Sequence, residues 1–230
     1  YVDEISPLKS THLVKRWRLE PSDKAAFKRG EKVEPKKPIV FYIDTLMPDS
    51  WKPYIKEGVE EWNKSFEKIG YLNAVQAKEW PKGTDFSSSN IRHSSICYAP
   101  DWMYMAQTSM HTDPRTGEIL NASVYIHHNF LSLLYSGRCT QTMASDPTAR
   151  TLTLSEKQMG ELLKVGIAQQ VGRCLGLTDN MGASYHYPVD SLRSAEFTRR
   201  HGLTASVMDN IMCNYMLFFP ILIIRKPSTN

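Results

Sequence analysis

Hydrophobic residues recur with two different periods along this 230-residue chain, and these periods predict a mixture of strands and helices. The run Ile39–Ile43 is β-branched or aromatic throughout and is followed by Asp44, which predicts a strand. A helix capped by Asp49 or Ser50 is predicted next, because apolar residues then recur at steps of three and four. The residues on its apolar face are Trp51, Ile55, Val59, Trp62, Phe66 and Ile69.

Short strands and turns are predicted between residues 74 and 129. The best strands are residues 91–98, 103–108 and Ile119–His127, and Asp113-Pro114-Arg115-Thr116-Gly117 before the last one has the composition of a turn. In that last strand, alternation places Ala122, Val124 and Ile126 on one face and Asn121, Ser123 and Tyr125 on the other.

Helical periodicity returns at Ser155, which is the predicted N-cap, and the predicted helix ends at Gly176. Its last turns carry Gln169 and Arg173, which lie one turn apart on the same face. Asp179 follows beyond the glycine turn.

The composition, with 41% hydrophobic and 23% charged residues, is ordinary for a soluble globular domain. The net charge of +4 comes from basic residues with acids interleaved. Because no basic stripe alternates with stacking aromatics, we expect no nucleic-acid binding. The apolar run 216–224 is shorter than the roughly 20 residues that span a bilayer, and Pro220 interrupts it, so we expect no transmembrane segment in this fragment.

The chain has four widely spaced cysteines, Cys97, Cys139, Cys174 and Cys213, and no C-x-x-C pair, which argues against a zinc ribbon. Two disulfides are compatible with an oxidising compartment, and the spacing alone does not pair them. Cys174 lies within the predicted helix, where a small buried apolar role is expected.

Residues 169–180 read Gln-Gln-Val-Gly-Arg-Cys-Leu-Gly-Leu-Thr-Asp-Asn. This pattern resembles the zinc-peptidase motif H-E-x-x-H-x-x-G-x-x-H, in which three histidines bind zinc and the glutamate is the general base. Gly176 stands at the glycine position of the motif. The four reactive positions hold Gln169, Gln170, Arg173 and Asp179 instead.

A second signature, Ser206-Val207-Met208-Asp209, resembles the Met-turn that lies beneath the metal in metzincins. Further stretches support the likeness, among them Arg18-Leu19-Glu20-Pro21 and Tyr187-Pro188-Val189-Asp190. Together they resemble the bacterial cell-envelope family of zinc-dependent metalloproteases, whose active helix reads HEVGHTLGLRHN. The resemblance runs from about residue 16 to residue 215.

The resemblance implies an α+β, zincin-like fold with a twisted mixed sheet, a backing helix, the motif helix and a small C-terminal lobe that carries the Met-turn. We expect an extended N-terminal arm at residues 1–35, an N-terminal lobe at residues 36–180 and a C-terminal lobe at residues 181–230 of a larger protein. The resemblance also implies a location in the cell envelope, either periplasmic or secreted.

In zincins an antiparallel edge strand lines the cleft, and substrates bind by adding a strand to it. The resemblance assigns that role to residues 120–126, with Asn121, Ser123 and Tyr125 on the substrate edge. The expected partners are therefore an extended peptide or protein in the cleft, or flanking domains of the same chain.

The substitutions in the motif remove its chemistry. Gln169 offers an amide oxygen, which is a poor zinc donor, and Arg173 carries a permanent positive charge that repels a dication. Gln170 has no titratable group and cannot act as the general base. We therefore expect no catalytic residue and no bound cofactor, although zinc is the family's metal. An Arg173–Asp179 ion pair is the hypothesised replacement for the metal.

The leading prediction is a pseudopeptidase domain retained for peptide binding or scaffolding. One alternative is an active zinc metallopeptidase with atypical ligands, for which His128, Asp179, His186 and His201 are the candidates. The other is a structural module that packs on flanking domains. No glycine-rich phosphate loop occurs, so a nucleotide enzyme is not indicated.

Overall fold

The computed structural model describes residues 12–81, 87, 90–143, 147–151 and 153–209. Cys213 and the apolar run 216–224 lie outside the described residues. The described part is built on a five-stranded mixed sheet. Its strands are β1 (Ile39–Ile43), β2 (Val75–Glu79), β3 (Ser94–Ala99), β4 (Ala106–Thr112) and β5 (Ile119–His127).

The strand order across the sheet is β2-β1-β3-β5-β4. The first four strands in this order run parallel to one another, and β4 pairs antiparallel with β5 at one edge. A mixed sheet was the expectation from the sequence, and the structure has one.

The strand assigned to the cleft edge from the sequence is not an edge strand. Residues 120–126 belong to β5, which is paired on one side with β3 and on the other with β4. Of the two described edge strands, the antiparallel one is β4, which the sequence placed at residues 103–108 and which the structure places at Ala106–Thr112. The prediction was wrong because strand order depends on pairing between distant segments, which local alternation does not encode.

Seven α-helices are described, with 3₁₀ turns at Pro147–Arg150 and Met181–His186. The helices are α1 (Lys24–Lys28), α2 (Lys52–Glu60), α3 (Asn63–Lys68), α4 (Phe130–Thr142), α5 (Glu156–Cys174), α6 (Val189–Leu192) and α7 (Ala195–His201). None of these helices combines the length and the apolar character that crossing a membrane would need.

The single helix predicted after β1 is two helices, α2 and α3. Helix α2 begins at Lys52, and its N-cap is Trp51 rather than Asp49 or Ser50. The break is stabilised by Asn63, whose side chain donates to the carbonyl of Val75 at 2.8 Å and accepts from the amide of Val75 at 2.9 Å. These bonds tie the start of α3 to β2 and set its direction.

The core lies between one face of the sheet and helices α2 and α5. Phe41, Ile96 and Val124 project from neighbouring strands and are fully buried, as is Ile167 of α5. Helices α2 and α5 approach closely at Gly58, where an added Cβ would lie 2.6 Å from the carbonyl oxygen of Lys164. Burial of this continuous apolar layer is the main stabilising contribution to the fold.

The segment before β1 was predicted as an extended arm, and part of it is helical. Asp23 caps the short helix α1, because its side chain accepts from the amides of Ala25 and Ala26. Closer to the N-terminus the chain is extended: the amide of Arg16 donates to Gly117 at 3.1 Å, and its carbonyl accepts from Ile119 at 2.8 Å. This stretch therefore lies beside the turn that joins β4 to β5.

Candidate functional site

Helix α5 carries the degenerate motif, and both of its ends are defined by side chains. Ser155 and Gln158 form a capping box at its start, as the sequence indicated for Ser155. At its end Gly176 adopts a φ of +94°, which favours glycine. The indole of Trp17 donates to the carbonyl oxygen of Cys174 at 2.8 Å, so the N-terminal segment caps the end of the motif helix.

The motif positions Gln170 and Arg173 lie on the last turns of α5 at different depths. Gln170 is buried, with 4% exposure. The side chain of Arg173 is 29% exposed. The site is therefore partly open at Arg173 and closed at Gln170.

Arg173 contacts Asp179, which lies in the loop after Gly176. Its Nη2 donates to Oδ1 of Asp179 at 2.7 Å, and its Nε donates to the same oxygen at 3.2 Å. Both side chains remain partly exposed, at 29% and 40%. Solvent screening at this exposure limits the ion pair to about 0.2–1 kcal/mol.

Arg173 also contacts Gln170. Its Nη1 donates to the side-chain oxygen Oε1 of Gln170 at 3.0 Å. The guanidinium therefore joins the motif's general-base position to the loop residue Asp179. A buried carboxamide oxygen left without this donor would cost about 1–3 kcal/mol, so Arg173 matters more to Gln170 than to Asp179.

The segment 204–209 forms a tight turn at the predicted Met-turn. The amide of Asp209 donates to the carbonyl of Ser206 at 3.1 Å, and the amide of Met208 donates to the Ser206 hydroxyl at 3.2 Å. The hydroxyl of Thr204 donates to Oδ2 of the buried Asp209 at 2.9 Å. Gln169 joins this turn to α5, because its Nε2 donates to the main-chain oxygen of Asp209 at 3.3 Å.

Met208 lies directly beneath the motif helix and is 3% exposed. A Cβ added to Gly172 would lie 2.3 Å from its Sδ and 2.7 Å from Cζ2 of Trp62, so a side chain at this position would require Met208 and Trp62 to move. The indole of Trp62 donates to the carbonyl of Ala168 at 2.8 Å. The main-chain N–H of Asn180 donates to the carbonyl of Met208 at 2.9 Å, which ties the loop after α5 to the same turn.

The side chains at the motif positions do not fit a catalytic zinc ion. A zinc site needs three neutral or anionic nitrogen, sulfur or oxygen ligands and an open position. Here Asp179 is the one carboxylate of the set, and the adjacent guanidinium already occupies its Oδ1. Across the described ranges, no group of three or more His, Cys, Asp and Glu side chains is placed to hold a metal ion.

The histidines among the other candidate ligands each contact an aromatic side chain. His128 Nδ1 is hydrogen-bonded to the hydroxyl of Tyr98 at 2.6 Å. His201 stacks on Phe197 with ring centroids 4.6 Å apart, and His186 contacts Tyr187 at 5.3 Å. The structure does not bring these histidines together with Asp179 in a ligand group.

The three residues assigned to the substrate edge lie on a strand inside the sheet. Asn121 and Ser123 are buried, and they bond to the carbonyl of His93 at 2.8 Å and to the hydroxyl of Ser95 at 3.1 Å. Burial raises the pKa of the Tyr125 phenol. Because β5 is internal, none of these residues offers its backbone to a ligand.

Among the described residues, no strand pairs with the outer side of β4, which leaves a free edge that could pair with a peptide. The main-chain N–H of His127 donates to the carbonyl of Met105, so the residue before β4 and the last residue of β5 form a hydrogen-bonded pair. Hydrogen-bonded and non-bonded pairs alternate along an antiparallel ladder. In the observed register, Ala106, Thr108 and Met110 therefore direct their N–H and C=O groups away from β5, toward the free edge.

Sequence reasoning missed the residues that support the site. Trp17 and Trp62 each donate an indole N–H to a carbonyl near the end of α5. Both pairings join segments more than 100 residues apart, at separations of 157 and 106 positions. Tryptophan in a polar N-terminal segment was the available signal for the first contact, because a buried indole N–H generally finds a partner.

Residues 151–218 match the family model described as Met-zincin. The matched segment contains both the motif on α5 and the turn at Met208. The match confirms the resemblance to metzincin-type proteins, and zinc is the metal that this family implies. Together with the mixed sheet and its helices, it indicates a metallopeptidase-like fold. No curated protein and no solved structure matches the chain.

Proposed function

We propose that this protein is a metallopeptidase-like domain that does not hydrolyse peptides and that binds an extended peptide along the free edge of β4. The single observation that carries the first half is the guanidinium of Arg173, which donates hydrogen bonds to both Gln170 and Asp179. These are the general-base position and a former ligand position of the motif.

The charge of Arg173 opposes a metal ion at this place. A dication about 4 Å from a guanidinium is repelled by roughly 8 kcal/mol at an effective dielectric constant near 20. Structural zinc sites with a full ligand set gain about 10–16 kcal/mol on binding. A site with one carboxylate, already hydrogen-bonded, has no comparable gain to offset the repulsion.

Gln170 lacks the proton chemistry that hydrolysis needs. A carboxamide neither removes a proton from water nor delivers one to the leaving amine near neutral pH. Its Oε1 is also occupied by the Arg173 N–H at 3.0 Å. Activation of water and proton transfer are therefore both lost at the position where the motif has glutamate.

The second half of the proposal, peptide binding, rests on the geometry of β4. Its outward N–H and C=O groups form a strand edge, and helix α5 contacts the same strand from one face. An extended peptide can add a strand to such an edge through main-chain hydrogen bonds. The resemblance to cell-envelope proteins leads us to propose that the protein binds peptides in the cell envelope. Subcellular fractionation would test this location.

Hydrolysis is tested with a quenched fluorescent random peptide library in the presence of zinc. We expect no cleavage above that of a buffer blank. The positive control is the variant Gln169→His/Gln170→Glu/Arg173→His/Asp179→His, which restores the motif. Cleavage by the natural sequence that a chelator abolishes would overturn the first half of the proposal.

Peptide binding is tested by selection from a displayed random library, followed by titration of the selected peptide. Thr108→Pro removes an N–H that faces the free edge, so it should weaken binding without disturbing the pairing with β5. Thr108→Val keeps the N–H and is the matched control. Failure to select any peptide, or equal affinity of the proline and valine variants, would overturn peptide binding at this edge.

A further inference from the structure

The guanidinium of Arg173 has N–H donors that none of the described residues accepts from. A guanidinium carries five N–H groups. The contacts to Asp179 and Gln170 use three of them. Two therefore remain without a partner among the described residues. The side chain as a whole is 29% exposed, so Arg173 can be reached from solvent.

The position of Arg173 relative to β4 follows from its neighbour Cys174. The thiol of Cys174 lies 3.9 Å from the carbonyl oxygen of Ser123 in β5. Ser123 pairs with Ser109, which is in the middle of β4. The last turn of α5 therefore packs on β5 at the level of the middle of β4, and α5 also contacts β4, the strand to which a peptide would add.

The charge of the site determines which oxygen Arg173 can bind. Asp179 neutralises the guanidinium at a distance of 2.7 Å, and its second oxygen keeps a negative partial charge nearby. An anionic ligand would meet that carboxylate, whereas an uncharged carbonyl oxygen would not. The site therefore favours the neutral acceptor that every extended peptide carries, its main-chain carbonyl.

Two contacts hold the guanidinium in place before any ligand arrives. Gln170, which is 4% exposed, accepts from Nη1, and Asp179 accepts from Nε and Nη2. A donor that is already oriented loses less conformational entropy on binding than a free arginine side chain. Preorganised donors of this kind can add to the hydrogen bonds that a strand edge supplies.

We propose that Arg173 is a ligand-binding residue that donates hydrogen bonds to one main-chain carbonyl of the peptide held on β4. This inference rests on the proposed peptide-binding function and deepens it, because it names the group on the peptide that the former metal position recognises. The peptide is bound intact, since Gln170 at the general-base position cannot remove a proton from water and its Oε1 already accepts from Arg173.

The test uses the peptide selected against the natural sequence, capped at both ends so that it has no terminal charge. Its affinity is measured for the natural sequence, Arg173→Met and Arg173→Lys, each after its fold has been checked by circular dichroism. We expect a loss of about tenfold or more for Arg173→Met, as for the loss of a hydrogen bond to a charged group. Arg173→Lys keeps the charge but not the fork, so a smaller loss is expected.

A carbonyl scan then separates a binding role from a structural one. Each amide of the selected peptide is replaced in turn by a thioamide, whose sulfur is a weaker acceptor. A thioamide at one position of the peptide should lower its affinity for the natural sequence. The same thioamide should not lower the affinity for Arg173→Met any further. A merely structural role for Arg173 would leave the scan unchanged between the two proteins.

The outcomes also separate this inference from the function on which it rests. If Thr108→Pro weakens binding while Arg173→Met binds within about twofold of the natural sequence, the edge strand binds peptide and the role of Arg173 is wrong. If no thioamide position couples to Arg173, the inference is likewise overturned. If no peptide is selected at all, both proposals fail together.

Discussion

Arg173 Nη1 lies 3.0 Å from Oε1 of Gln170, so a former ligand position of the zinc motif is hydrogen-bonded to its general-base position. The same guanidinium contacts Asp179 at 2.7 Å. A zinc ion and a carboxylate base would have to hold these positions in an active enzyme. In this chain Arg173 is hydrogen-bonded to the side chains of both Gln170 and Asp179 instead.

Replacement of Arg173 tests how much this link contributes to stability. Arg173→Ala removes a partly exposed ion pair and leaves the buried Gln170 without its donor, so we expect a loss of about 1–2 kcal/mol in the free energy of unfolding. Urea denaturation measures it. Asp179→Ala should cost less, because it removes only the exposed partner.

The control for this prediction is Arg29→Ala, which removes an exposed arginine bonded to Glu31 at 2.7 Å. The two side chains are 60% and 57% exposed, and a change below about 0.5 kcal/mol is expected. An unchanged midpoint for Arg173→Ala would contradict the proposed link between helix and loop.

Gly172→Ala tests the close approach of α5 to the turn at Met208. The added Cβ would lie 2.3 Å from Met208 Sδ, so we expect a loss of about 1–3 kcal/mol from overpacking. Met208→Ala alone should cost about 2–5 kcal/mol through the cavity it leaves.

The double variant Gly172→Ala/Met208→Ala should be more stable than the sum of the single losses predicts, because the sulfur that clashes is gone. Rescue will be partial, since Trp62 still lies 2.7 Å from the added atom. Strict additivity in urea denaturation would show that Met208 does not pack against Gly172.

Burial raises the pKa of the Cys174 thiol from its ordinary value of 9.0 to about 12. Between pH 9.0 and about 12 the thiol of the folded protein therefore keeps its proton, whereas the thiol of the unfolded chain loses it. The thiol's contribution to stability is fully present below pH 9 and is lost as the pH rises toward 12. In that interval the natural sequence should lose about 1.4 kcal/mol per pH unit relative to Cys174→Ala.

The measurement is urea denaturation of both proteins at several pH values from 8 to 10.5, roughly the lower half of this window. Other titrating groups act equally on both proteins and cancel in the difference. A difference in stability that stays constant with pH would contradict the burial of Cys174. Rapid alkylation of Cys174 in the folded protein near neutral pH would contradict it as well.

The parts of the fold that follow from local pattern were predictable from the sequence. Strands Ile39–Ile43 and Ile119–His127 have the predicted bounds, since runs of β-branched and aromatic residues define them. Helix α5 begins after its predicted cap, Ser155, and ends before Gly176. Helix α4 was not predicted, because serine, glycine and threonine interrupt its apolar residues.

The parts that depend on distant contacts were not predictable. The identity of the edge strand requires the pairing of β4 with β5, and the break between α2 and α3 requires the bonds from Asn63 to Val75. At the site, the motif spacing brought Arg173 and Asp179 into consideration as a pair. The contact of Arg173 with Gln170 depends on the rotamer of the arginine, and the spacing of the motif does not specify that rotamer.

The first measurement to make is the metal content of the purified protein, by mass spectrometry before and after incubation with excess zinc. It tests whether the residues at the motif positions hold zinc. The variant with the restored motif serves as the positive control. We expect less than about a tenth of an equivalent of zinc in both samples of the natural sequence, because its donor set lacks three ligands. Near-stoichiometric zinc in the natural sequence would show that a zinc site exists and would return peptide hydrolysis to consideration.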